Sequence, residues 1–233
     1  DQYVFSDTYH QLIFDGLGEK ILMGDVSVNN NLIVNPGDTC IVGTNTLTVE
    51  GLTDIDGTIT INSGSIDANG IFDAIGGTIT FNGAGNLYLD STVTSLGTFS
   101  ASYSTVAYDG SDQDVKEATY HHLNLAGYGY KVLSGDIGAT GDININSGVD
   151  FDVSLINNYS INIEGDWTNN GTFNERGGLV TFDGNDIQYI YSVDSLSGSY
   201  KQQEFYNLTI NNTGATDTVV MGGDFDIKNN LTL

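Results

Sequence analysis

Among 233 residues this chain has one cysteine, one proline and six Lys plus Arg, and it has no long apolar run. Each shortage excludes a class of protein. A lone Cys40 cannot form a disulfide within the chain, so a disulfide-stapled scaffold is out. Six basic residues against 30 acidic ones leave a formal net charge of −24. Such a chain repels phosphate instead of releasing counterions from it, which excludes nucleic acid as the expected partner. No segment approaches the roughly 18 consecutive apolar residues that a helical span requires, so membrane insertion is not expected. Collagen is excluded because the 30 glycines show no period of three. The opening Asp1-Gln2-Tyr3-Val4 has neither Met nor a charged-then-apolar leader. A targeting segment is therefore expected to be absent here or already removed.

What is present is 39% hydrophobic residues with 10% aromatics, too apolar for plain disorder, and an abundance of Gly, Asn, Asp and Thr. Self-similarity is the strongest signal. Residues 9–37 align without a gap to residues 120–148 at an offset of 111, with eleven of twenty-nine positions identical. The shared frame reads Tyr-His-x-Leu, then Gly-x-Gly-x-Lys, then Leu-x-Gly-Asp. A looser third copy starts at Phe205-Tyr206-Asn207-Leu208, so modules begin near 9, 120 and 205. A second unit, Gly76-Gly77-Thr78-Ile79-Thr80-Phe81-Asn82-Gly83, returns as Gly177-Gly178-Leu179-Val180-Thr181-Phe182-Asp183-Gly184. Units of variable length fit stacking better than independent globular domains. The whole of 1–233 is therefore expected to be one continuous segment, with both ends reading as cut from a longer repetitive protein.

Local pattern points to strands. Ile59-Thr60-Ile61, Ile143-Asn144-Ile145, Ile161-Asn162-Ile163, Leu208-Thr209-Ile210 and Phe225-Asp226-Ile227 each alternate apolar with polar residues, which puts the apolar side chains on one face. The runs are short and are punctuated by Gly, Asn-Gly, Asp-Gly and Asn-Asn, residues that tolerate sharp corners. Helical spacing is not sustained anywhere. The expected fold is all-β, a parallel β-solenoid of degenerate repeats with coils of roughly 20–25 residues. The alternative is a set of tandem β-sandwich domains, which would want longer strands.

Val106-Ala107-Tyr108-Asp109-Gly110-Ser111-Asp112-Gln113, Tyr120-His121-His122-Leu123, Gly165-Asp166-Trp167-Thr168-Asn169-Asn170-Gly171-Thr172-Phe173 and Phe205-Tyr206-Asn207-Leu208-Thr209-Ile210 carry a family likeness. They resemble the β-helical repeats of large secreted bacterial surface proteins, the adhesin- and haemagglutinin-like proteins frequent in the Bacteroidetes. The resemblance spans nearly the whole chain at the level of pattern. It implies export to the cell surface, a role as rod, stalk or adhesive fibre, and adjoining repeats or like subunits as partners. It supplies no catalytic residue.

Candidate sites follow from residue chemistry. Acidic turns at Asp109, Asp112 and Asp114 are the best candidate for calcium, which needs six to eight oxygen ligands. Neither the nonapeptide calcium repeat nor a complete EF-hand loop is present. Asp54 with Asp56, Asp183 with Asp186, and Asp224 with Asp226 are further acidic clusters, and the alternative for all of them is that acidic turns keep a stacked rod soluble. His10 and His121 share a module position, and with His122 they are read as structural, because zinc would need more Cys or His at ligand spacing. Paired acids abound by chance, no Gly-x-Ser-x-Gly elbow occurs, and few bases are available, so no enzyme is expected. Trp167, Tyr128, Tyr130, Tyr189 and Tyr191 are the aromatic candidates for stacking on sugar rings, the basis of an alternative role gripping extracellular polysaccharide. Asn158, Asn170, Asn207, Asn211 and Asn230 open N-glycosylation sequons, and Ser91, Ser195 and Thr218 lie in short Asp-Ser/Thr-apolar signals for O-glycosylation.

Overall fold

Gly and Asn corners alternate with short strands, and the resulting fold is an all-β parallel β-solenoid of about 11 turns. This computed structural model describes residues 1–193, 199–214 and 218–233. Among them there is no helix, and the pairing within every sheet is parallel. The chain forms two compact units, Asp1–Asp109 and Gly110–Leu233. The second begins ten residues before the repeated frame resumes at Tyr120.

In the first unit each coil contributes to three sheets. One contains Gly18–Leu22, Asp38–Gly43, Thr58–Ile61, Thr78–Phe81 and Thr98–Ser100. Register pairs Lys20 with Cys40, Cys40 with Ile59, Ile59 with Ile79 and Ile79 with Phe99, steps of 20, 19, 20 and 20 residues. The 20-residue step from Ile59 to Ile79 explains why Thr58 and Thr60 meet Thr78 and Thr80 on the outer face while the isoleucines between them face inward. Leu47, Ile66, Leu87 and Val106 form a second inward column. All four are fully buried. Complete burial of such a side chain contributes about 1.5–3 kcal/mol relative to exposure, so the shared column is the main source of cohesion.

The second unit repeats the plan with a different interior. Its coils are less even, with Lys131 to Phe151 spanning 20 residues and Ile137 to Ile161 spanning 24. The longer coil carries Leu155 and Ile156 on an exposed turn between Val149–Asp152 and Ile161–Ile163. Aromatic rings fill the core. Trp167 lies edge-on to Phe173 at 4.9 Å and to Phe205 at 5.8 Å, and Phe205 meets Phe182 at 6.3 Å. Alternation weakens at the end, since Phe225–Thr232 is half-buried to exposed along its length. That strand pairs on one side only, with Gln203–Ile210.

Candidate functional site

The repeated frame can be followed residue by residue in each unit. Tyr9 donates its phenol hydrogen to the Phe5 carbonyl at 3.0 Å, and Tyr120, 111 positions on, donates to the Lys116 carbonyl at 2.6 Å. Each phenol straps a corner four residues upstream. The lysines of Gly-x-Gly-x-Lys occupy inward positions, Lys20 opposite Cys40 and Lys131 opposite Phe151, and both are buried. Lys20 Nζ donates to the carbonyls of Leu17 (3.1 Å) and Gly18 (3.3 Å) and to Asp38 Oδ1 at 2.5 Å. Lys131 Nζ donates to the carbonyls of Gly110 (2.8 Å), Tyr128 (3.1 Å) and Ser111. Gly18 (φ +90°) and Gly129 (φ +79°) take the left-handed conformation that these turns require. The motif is thus an internal cation plug whose ammonium is satisfied by corner carbonyls.

Asp in Leu-x-Gly-Asp has an equally specific use. Asp25 Oδ1 accepts the Thr46 N–H at 2.8 Å, and Asp136 Oδ1 accepts the Ser160 N–H at 2.7 Å. The same clamp runs as a ladder in the second unit. His122 Nδ1 accepts the Asp142 N–H (2.9 Å), Asp142 Oδ1 the Asp166 N–H (2.9 Å), and Asp166 Oδ1 the Tyr189 N–H (2.8 Å). At these corners the backbone ladder lapses, and a short side-chain acceptor reaches the next coil instead. The recurrence of Asp at the last position of Leu-x-Gly-Asp was the sequence signal for this role, and no role had been read from it.

Acids at the calcium candidate make similar local contacts. Asp112 Oδ1 accepts the Tyr130 N–H at 2.8 Å, and the exposed Asp114 faces Lys116 at 3.7 Å. Half-buried Asp109 has its carboxyl raised above the ordinary value by burial first, and then by Asp90 and Asp67. Among the described residues no group of three or more His, Cys, Asp or Glu side chains is placed to hold a metal ion. Burial likewise raises Asp54, with Asp56 and Asp73 adding repulsion, and Asp67, with Glu50 and Asp90 adding theirs. Asp226 pairs with Lys228 at 2.7 Å. An acidic groove of about 650 Å³ lies over Gly138, Thr119 and Asn162 in the second unit, walled by Glu117, Asp136, Glu164 and Asp183.

The aromatic candidates separate cleanly. Trp167 is fully buried, donating Nε1–H to Gln203 Oε1 at 3.2 Å, so it offers no face to a ligand. Its position between Ile143 and Ile190 in the inward column is the reason. Tyr128 and Tyr130 are exposed, Tyr128 on the turn preceding Gly129–Leu133. Tyr189 and Tyr191 point outward from Gln188–Ser192 and are half-buried. Their rings are parallel within 6° at a centroid distance of 5.6 Å.

His10 is exposed. His121 and His122 are half-buried with rings edge-on at 4.2 Å, and His121 Nδ1 lies 3.0 Å from Thr140 Oγ1. Burial and the neighbouring His122 lower the His121 pKa. Cys40 is buried, and desolvation pushes its thiol up to about 12. Of the sequon residues, Asn158, Asn211 and Asn230 are exposed and Asn170 is half-buried. Asn207 is half-buried, and its amide donates to the Gly177 and Gly178 carbonyls. Ser91 is half-buried and Thr218 exposed, while Ser195 lies outside the described residues.

Together these features define a β-solenoid repeat protein whose recurring residues hold coil to coil. Comparison with protein-family models, curated proteins and solved structures returns no match. No helix among the described residues is long and apolar enough to cross a membrane.

Proposed function

We propose that this chain is a structural and adhesive repeat segment of a secreted bacterial cell-surface protein, part of a rod, stalk or fibre. The observation that carries the reading is how the repeated residues are used. Tyr9 and Tyr120, Lys20 and Lys131, and Asp25 and Asp136 are all spent on corner straps, cation plugs and inter-coil clamps. A repeat whose recurring residues are devoted to cohesion suits a mechanical role, since each coil is stabilised mainly by its neighbours. The net charge of −24 keeps like segments apart in solution. The likeness to adhesin-like repeats supports the extracellular setting.

Antibody raised to the chain should label intact cells of the source organism without permeabilisation, and detached cell-surface material should contain it. Label appearing only after lysis would overturn the surface assignment. A second reading, polysaccharide binding, is favoured by one observation, the parallel outward pair Tyr189 and Tyr191.

A further inference from the structure

We propose that the outer face around Tyr189, Tyr191 and Tyr200 is the adhesive contact, and that it takes the apolar faces of sugar rings in a neutral polysaccharide. The inference rests on the adhesive half of the reading above. Register places the two tyrosines in the middle of a small lattice on one side of the sheet. Asp166 and Thr168 precede them, and Val220 and Gly222 follow. Rows of such a sheet lie about 4.8 Å apart, so these side chains are direct neighbours.

The tyrosines are held in place. The Tyr189 N–H is clamped by Asp166 Oδ1 at 2.8 Å, and Ile190 between them is fully buried. Gly222 leaves room for the Tyr191 ring, since a Cβ there would lie 2.8 Å from Tyr191 Cδ1 and 3.3 Å from Tyr200 Cε1. Tyr200 joins from the strand side through its bridge to Val193 and is 61% exposed. Tyr191 and Tyr200 thus flank one glycine, and Tyr189 stacks on Tyr191 beside them. Fixed aromatic rings lose little entropy on binding and present π faces that suit the C–H-bearing faces of pyranoses.

Size and charge choose the occupant. A stable protein interface needs about 800 Å² from each partner. Three partly exposed tyrosines, at about 150–250 Å² for each ring in full, fall short of that. The adjoining Asp166 and the surplus of acids over bases disfavour an anionic polymer. Asp166 and Thr168 supply acceptors and a hydroxyl for sugar OH groups beside the rings, as sugar recognition needs.

The test is binding of the whole chain to immobilised neutral β-glucan and galactomannan, with alginate as the anionic comparison. The wild type should bind at least one neutral polymer and not alginate. Tyr189→Ala/Tyr191→Ala should weaken that binding at least tenfold, while Tyr189→Phe/Tyr191→Phe stays within threefold. Thermal melts of each variant confirm folding, and Gly222→Ala, which crowds the Tyr191 ring, should also weaken binding. Retention of full affinity by the double alanine variant would overturn the site and leave an adhesive role standing. Absence of binding to every polymer, or preference for alginate, would overturn the proposal, while cell-surface labelling would still judge the structural reading. Capture of a protein in place of a glycan would overturn it as well.

Discussion

Removing Asp38 tests the plug at its most exposed assumption, that the cohesion of a coil depends on neutralising a lysine inside it. Lys20 and Asp38 are both nearly inaccessible, with side-chain exposures of 4% and 1%, and Nζ lies 2.5 Å from Oδ1. Asp38→Ala leaves the ammonium with the Leu17 and Gly18 carbonyls alone. Stranding one member of a buried pair typically costs about 3–5 kcal/mol. Replacing both charges by apolar groups is often neutral or stabilising, so Lys20→Met/Asp38→Ala should recover most of the loss. Cys40, opposite Lys20 in register, provides a local assay. Its thiol is fully buried and its pKa is pushed up to about 12, so it reacts only when that coil opens. Each 1.4 kcal/mol is a factor of ten. Thiol labelling in Asp38→Ala should therefore run on the order of 10²–10⁴ times faster than wild type, where reclosing outpaces reaction. Asp38→Asn should fall between, since a neutral acceptor replaces a charged one. Labelling of Asp38→Ala at the wild-type rate, or a double variant no slower than the single, would refute the argument.

Acidification should stabilise the fold at first. Burial raises the carboxyls of Asp54, Asp67, Asp109 and Asp166 in the folded chain, so it takes up protons before the unfolded chain does. Stability then falls as pH rises through the window just above the ordinary carboxylate range, and a melt at about pH 5 should lie above one at pH 7. A lower midpoint at the acid value would contradict this. Gln203→Leu should cost about 1–3 kcal/mol for each of two stranded donors, Trp167 Nε1 and Asn169 Nδ2, measured by urea unfolding. Tyr120→Phe removes the phenol strap to the Lys116 carbonyl and should cost about 0.5–1.5 kcal/mol in the same assay. Trp167 fluorescence should be silent to added polysaccharide and change only on unfolding, because the indole is enclosed by Phe151, Phe173 and Phe205.

Much of the architecture was legible from residues 9–37 and 120–148 and from triplets such as Ile59-Thr60-Ile61. Period-two alternation sets which side chains share a face, and self-similarity implies stacked coils, without any knowledge of contacts. The candidate site was less legible. Alternation put Tyr189 and Tyr191 on one face together, and the structure makes that face the outer one. Trp167 could not be assigned in the same way, because an inward and an outward aromatic look alike in a short run. Only register, which seats it between Ile143 and Ile190, decided its burial. Tyr200 and Gly222 join the tyrosines through pairings that sequence spacing does not reveal.

Composition and repetition by themselves determined that this is an acidic, all-β, coiled-repeat chain, because charge balance and side-chain periodicity are properties of the residues alone. The tertiary structure decided what each recurring polar residue is for. Lys20 recurs in the frame as Lys131, but only the fold shows that it points inward, and only the next coil brings an N–H to Asp25, Asp136 and Asp166. Residues about twenty positions apart become neighbours only when the coil closes, so their chemistry is a property of the stacking.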